Sequence, residues 1–296
     1  MKKQPSLLGN FQILSAALLW STAGICVKLI PWSSFSIACI RGIICASVLF
    51  SMRFYRRKTG RGYAPVRFSK QNILAGAAMF LTGTLFMMSN KLTTAANAIV
   101  LQYIAPILVL LYTVLVEKRR PTAWDVLLTM TVCLGCVLAF SDQLSSDGVL
   151  GNILALISGF TFAAMIVLNR REGTVPEDGQ IIGSGMTFLC ALPFLLTDHS
   201  MVITPVSVGA MLFLGLFQYS LGNIIFARGV KKTEPTAASI ILTMEPIMSP
   251  VWVFLVKGEA PGLNGILGLA LVVAAVTVHS LLPYLRRGKI EEAAQA

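Results

Sequence analysis

Apolar residues run along this chain in blocks of about twenty, separated by short polar joints. Ten blocks stand out, at about 7–30, 34–53, 71–90, 94–116, 122–141, 148–169, 180–197, 206–228, 235–256 and 262–284. A helix of roughly 20 apolar residues crosses the hydrocarbon core of a bilayer, so the pattern predicts an all-α integral membrane protein with ten transmembrane helices. The seventh block is the weakest, because Gly179, Gly183 and Gly185 cluster at its start. Glycines at such a place suit close helix packing.

The ninth block is the unusual one. It carries Glu245, Pro246 and Pro250 near its middle, and a lipid-facing helix tolerates neither a central charge nor two breakers. Glu245 is therefore expected to look into protein or a wet cavity. The same block has an echo 140 positions earlier: Ala98 to Pro106 repeats Ala238 to Pro246, and Pro121 falls over Pro261. Near the start of each half, Trp20-Ser21-Thr22-Ala23 falls over Phe160-Thr161-Phe162-Ala163. Two copies of one unit follow, at 7–141 and 148–284, each with five helices. Five is odd, so the second copy enters the membrane from the opposite side and the fold is expected to be a pair of inverted-topology repeats.

Charge placement sets the expected orientation. The chain is 55% hydrophobic, only 12% charged, and carries a net charge of +11. With the N-terminus inside, twenty of the 24 Lys and Arg residues fall in cytoplasmic segments, among them Lys2, Lys3, the run from Arg53 to Lys70, Lys118 to Arg120, Lys231 and Lys232. Lys28, Arg41, Lys91 and Lys257 are the four left for the spans and the far side. This is the positive-inside distribution. It predicts a multi-pass protein of the cytoplasmic membrane with both termini cytoplasmic, and it assigns the basic character to topology rather than to nucleic acid. Lys2-Lys3 before a long apolar run resembles a signal peptide, yet the run is too long and no small-x-small site follows, so a retained first span is expected.

Other chemistry is sparse. The six cysteines lie in apolar runs and read as packing residues; Cys133-Leu-Gly-Cys136 has no basic or polar surroundings to make it a redox or zinc motif. No phosphate-cradling loop, His-rich metal spacing or nucleophile elbow is present, so neither an enzyme nor a bound cofactor is expected. His199 and His279 lie in a joint and near a span end, which makes them poor site candidates.

The candidate site residues are polar, charged or aromatic groups inside spans. Asn90, Gln102, Tyr103, Tyr219, Asn223 and Thr243 would be costly facing hydrocarbon and are expected to face inward. Tyr219 and Asn223 share one helix face at i, i+4. Trp20 and Phe160 occupy matching places in the two halves and could stack on a planar or cationic solute. Arg41 and Glu245 each cost about 2.5–3.5 kcal/mol at the membrane centre unless paired or hydrated. They could form a structural pair or a substrate site. Pro106 and Pro246, mirrored in the two halves, are candidate gating bends that free the carbonyls of Gln102 and Leu242.

These residues carry a family likeness. Leu-Leu-Trp-Ser in the first span, Arg41 in the second, Tyr103-Ile-Ala-Pro106 in the fourth and Met244-Glu245-Pro246 in the ninth resemble the drug/metabolite transporter superfamily, specifically two tandem EamA-type halves. The likeness covers nearly the whole chain. It implies a ten-helix secondary transporter whose central cavity is lined by the first, third, fourth, sixth, eighth and ninth helices, with amino-acid or drug export a common activity. The expected function is alternating-access transport of a small amino-acid-like or amphipathic solute, with a proton as a candidate coupling ion. An importer of an organic cation, or a lipid scramblase, is the alternative.

Overall fold

The protein is described from a computed structural model. It covers residues 6–59, 65–199, 201–258 and 262–295, with side chains up to Ser280 apart from Lys28, Arg57, Val253 and Lys257. Lys2, Lys3, Arg61 and Pro261 lie outside the described residues.

Among those residues ten helices are long and apolar enough to span a bilayer. In chain order they are Leu7–Val27, Ser34–Arg56, Lys70–Leu92, Ala95–Leu115, Ala123–Gln143, Val149–Arg170, Pro176–Leu196, Pro205–Val230, Pro235–Val256 and Leu263–Ser280. The seventh begins four residues before the apolar block does. Pro176 sits at its first turn with Glu177 and Asp178, where a missing N–H costs nothing and acidic groups favour the helix dipole.

The repeat is visible in the architecture. The fourth span is broken into Ala95–Gln102 and Ala105–Leu115, the ninth into Pro235–Leu242 and Met244–Lys257. The first pieces begin and end 140 positions apart, as do the starts of the fifth and tenth spans at Ala123 and Leu263. Packing obeys the same exchange. The third span packs on the sixth as the eighth does on the first, the third on the seventh as the eighth on the second, and the fourth on the sixth as the ninth on the first. The second and seventh pair with each other, and so do the fifth and tenth. A pseudo-two-fold between inverted halves produces this pattern, because each contact must recur with the halves swapped.

One departure from symmetry is local. The first span breaks at Thr22, where the hydroxyls of Ser21 and Thr22 donate to the carbonyls of Leu18 and Leu19, each at 2.7 Å; such back-bonding bends helices. Its mate, the sixth span, runs unbroken from Val149 to Arg170. The eighth span instead carries a π-helical stretch, Leu214–Leu221, where the Ser220 hydroxyl donates to the Gly215 carbonyl at 2.6 Å.

Polar clusters tie the second and seventh spans at both ends. At one end Asp178 is buried and accepts from the Arg53 guanidinium, the Arg67 amide at 3.1 Å and the Asn72 side-chain amide at 3.2 Å. At the other, Asp198 accepts from the Ser33 amide at 3.1 Å and the Ser36 hydroxyl at 2.5 Å. The third span crosses the seventh where a Cβ on Gly183 would lie 2.7 Å from the Gly76 carbonyl oxygen. Gly185, by contrast, faces open space. Gly183→Leu should therefore cost about 1–3 kcal/mol or prevent assembly, while Gly185→Ala is neutral. Size-exclusion profiles and thermal melts of the detergent-solubilised variants check this.

Candidate functional site

A cavity enters from one face and stops near the middle of the membrane. Its main lobe, about 450 Å³, is lined by Trp20, Arg41, Phe86, Asn90, Phe162 and Tyr219 among others, and at its rim by Val27, Ser34 and Lys91. A second lobe of about 490 Å³ lies among the fourth, fifth, ninth and tenth spans and reaches Asp142, Gln143 and Gly262. The two share Trp20, Phe86, Asn90, Gln102 and Glu245. All the rim residues belong to the face that carries the joints at 29–33, 93–94 and 141–148. That is the face poor in Lys and Arg.

The opposite, basic face is closed. The Lys231 ammonium donates to the carbonyls of Arg171 at 2.6 Å and Arg170 at 3.4 Å, and Arg171 reaches the Tyr112 hydroxyl at 3.4 Å. Arg119 stands 3.7 Å from Glu234. Gly9 lets the first span sit against the turn before the ninth: a Cβ there would fall 2.6 Å from the Thr233 hydroxyl oxygen.

Glu245 sits where the lobes meet. Its carboxylate accepts from the Tyr103 hydroxyl at 2.8 Å. Tyr103 is the residue at which the fourth span breaks, so the break of one half presents its side chain to the charge of the other. Beneath them Trp20 packs on Phe226 with centroids 5.2 Å apart, and Tyr103 meets Phe162 edge-on at 5.7 Å. These rings close the floor of the cavity.

Arg41 lines the main lobe from the second span. It makes no ion pair with Glu245; its guanidinium carbon stands 4.1 Å from the Tyr219 ring centroid, and its Nε is buried without a hydrogen-bond partner. A cation over an aromatic face keeps its attraction to an incoming anion, since the ring satisfies none of its N–H groups. The lobe thus holds a carboxylate and a guanidinium that are not paired with each other. Asn90, Gln102 and Asn223 also line it; the Gln102 amide donates to Ser158 Oγ at 2.7 Å.

Several sequence expectations change. Phe160 is 59% exposed and lies outside both lobes, on a stripe with Ile153 and Ile157 that faces away from the core; Phe162 takes the aromatic role, because the first and sixth spans start at Leu7 and Val149, 142 rather than 140 positions apart, which sets Phe162 over Trp20. Thr243 is fully buried outside the cavity and uses its hydroxyl to bond the Ile240 carbonyl at 2.6 Å, so it caps a half-helix. Neither freed carbonyl faces the cavity. Leu242 has no exposed surface, and a Cβ on Gly159 would lie 2.8 Å from the Gln102 oxygen, so that carbonyl is packed against the sixth span. Pro246 lines the second lobe, whereas Pro106 is buried in the core. The second span joins the cavity wall through Ser34, Ile37, Ala38 and Arg41, and Met79, Met87 and Met165 add soft apolar surface.

Ten spans in two inverted repeats, with broken helices around a cavity that holds charged groups, form an architecture that transporters commonly use. The sequence signature of the EamA-like transporter family matches residues 7–141 and 149–281, and this chain belongs to that family. It is 27% identical to the "Uncharacterized transporter YwfM" of Bacillus subtilis (strain 168), over 95% of this chain and 96% of that protein. It is 24% identical to the "Uncharacterized inner membrane transporter YicL" of Salmonella typhimurium, over 92% and 95%. A crystal structure 18% identical in sequence superposes with a TM-score of 0.79, covering 93% of this chain and 97% of the other, which establishes a shared fold.

The stacking of Arg41 gives a direct test. Tyr219→Leu should lower stability by about 0.5–2 kcal/mol, and Tyr219→Phe should retain it, since the ring face survives. Thermal denaturation of the purified protein separates the two.

Proposed function

We propose that this chain is a secondary active transporter of the cytoplasmic membrane, with both termini cytoplasmic, that exports a small amphipathic solute, amino-acid-like or drug-like, by alternating access. The observation that carries this reading is the position of Glu245, at the floor of a cavity that reaches one face only, beside helix breaks contributed by both halves. A site of this kind, alternately exposed by rocking of the repeats, is how inverted-repeat carriers work.

Chemistry supports the solute class. Glu245 suits an amine and Arg41 a carboxylate, while Trp20, Phe86, Phe162 and the methionines suit an apolar body. Each lobe has the size of a small-molecule site. Basic residues on the closed face favour that face as cytoplasmic, which makes the conformation described here outward-open. Export follows the resemblance, and the proposed coupling ion is a proton carried by Glu245. In that scheme Trp20, Arg41, Asn90, Gln102, Tyr103, Tyr219 and Asn223 contact the solute. Pro246, at the lobe wall, and Pro106, in the core, act as bends. The aromatic flank of Glu245 also favours a second reading, uptake of an organic cation; the direction of a labelled solute's flux in proteoliposomes distinguishes them.

A thermal-shift screen of metabolites identifies a solute to follow. Glu245→Gln should fold normally and lose transport by at least about tenfold, the loss expected for a charge-assisted contact of about 1.4 kcal/mol or more. Phe162→Ala should also slow it, and Phe160→Ala should not. Unchanged rate and pH dependence in Glu245→Gln would remove the functional assignment. For orientation, cysteines at Ser146 and Glu172, both exposed, should label respectively from outside and only after permeabilisation.

A further inference from the structure

The lysine that closes the basic face has a counterpart at the open one. Lys231 stands 140 positions after Lys91, the same offset that relates the broken helices, so the two occupy equivalent places after or at the end of the eighth and third spans. Their environments differ. Lys231 donates to the carbonyls of Arg170 and Arg171, at the C-terminus of the sixth span. The first and sixth spans start 142 positions apart, so the positions equivalent to those are Lys28 and Leu29, the last helical residue and the C-cap of the first span. Lys91 does not cap them. It is exposed at the cavity rim, its ammonium 5.0 Å from the Phe35 ring centroid.

Inverted repeats exchange conformations between the two states of a carrier, so each half takes on the arrangement that the other had. A contact present once, at the closed face, is therefore due at the mirrored position when the other face closes. Helix C-termini hold carbonyls without intrahelical donors and carry partial negative charge, which a lysine satisfies on both counts. We propose that Lys91 and Lys231 are a reciprocal pair of gating residues: Lys231 caps the sixth span when the basic face is shut, and Lys91 swings from Phe35 to cap the first span at the backbone carbonyls of Lys28 and Leu29 when the opposite face shuts. This rests on the alternating-access reading above. Lys232, whose ammonium lies 3.4 Å from the Gln12 side-chain oxygen, caps no helix end and serves as the control.

The test uses the full chain in nanodiscs, with native cysteines replaced by alanine and one reporter cysteine at Met87, in the open lobe, or at Val230, which has no exposed surface. Maleimide labelling rates report the two states. Lys231→Met should slow labelling at the first reporter and speed it at the second, by about tenfold or more for one charged hydrogen bond. Lys91→Met should slow labelling at the Val230 reporter, and the double variant should return toward wild type. Lys231→Arg keeps the charge and should behave as wild type, which separates gating from misfolding. If wild type labels at both reporters and neither lysine variant differs from Lys232→Met, the gating pair is wrong while alternating access stands. If the Val230 reporter stays unlabelled in every variant, the protein does not alternate, and both readings fall.

Discussion

In a bilayer every backbone polar group must find its partner inside the protein, and this chain breaks the mirrored fourth and ninth spans, as well as the first, within their apolar runs. The break in the fourth span is met from outside the span. The Cys133 thiol lies 3.8 Å from the Tyr103 carbonyl, and the sixth span approaches through Gly159 closely enough to cover the oxygens of Leu101 and Gln102. The ninth span meets its own break, through the Thr243 amide and hydroxyl on Ile240. What is left unpaired is the carboxylate next door, and the only hydroxyl offered to it among the described residues comes from the other half's break. The cavity exists because the two interruptions face each other.

Around this centre the second and seventh spans form a strut. Asp178 and Asp198 fasten its two ends, and the Gly76 and Gly183 crossing fixes the third span against it. Buried carboxylates are costly alone, so each is held by several donors from different elements, and removing one donor strands a charge. Such clusters resist deformation along the strut.

Much of this was legible in the sequence. Block length, the 140-residue offset and the mid-span prolines lead to ten spans, two inverted halves and breaks in the fourth and ninth. Glu245, Arg41, Tyr103 and Tyr219 stood out as polar groups in apolar runs, and they do line the cavity. Facing direction was less legible. Matching Phe160 to Trp20 assumes that the 140-residue offset holds throughout, which fails at the first and sixth spans, whose starts and whose packed glycines Gly9 and Gly151 are 142 apart. The 4,3 spacing of Ile153, Ile157 and Phe160 marks a lipid stripe, while Ser158, Phe162, Met165 and Asn169 mark the inner one; helical periodicity within the span, rather than the repeat, carries that information. A proline likewise shows which oxygen loses its donor but not which neighbour covers it.

Symmetry and its violation divide the work between them. Shared features, the broken helices and the swapped packing, are what the proposed exchange between two states of similar energy would require. The features that lack a mate are the ones a solute would meet: Glu245 stands opposite Ala105, and Arg41 opposite Ile181. Had both halves carried a carboxylate, two like charges would share one cavity at low dielectric and one would be forced to neutralise. A single acid and a single guanidinium, one bonded to Tyr103 and the other stacked on Tyr219, give the cavity a polarity that the symmetric frame around it does not have.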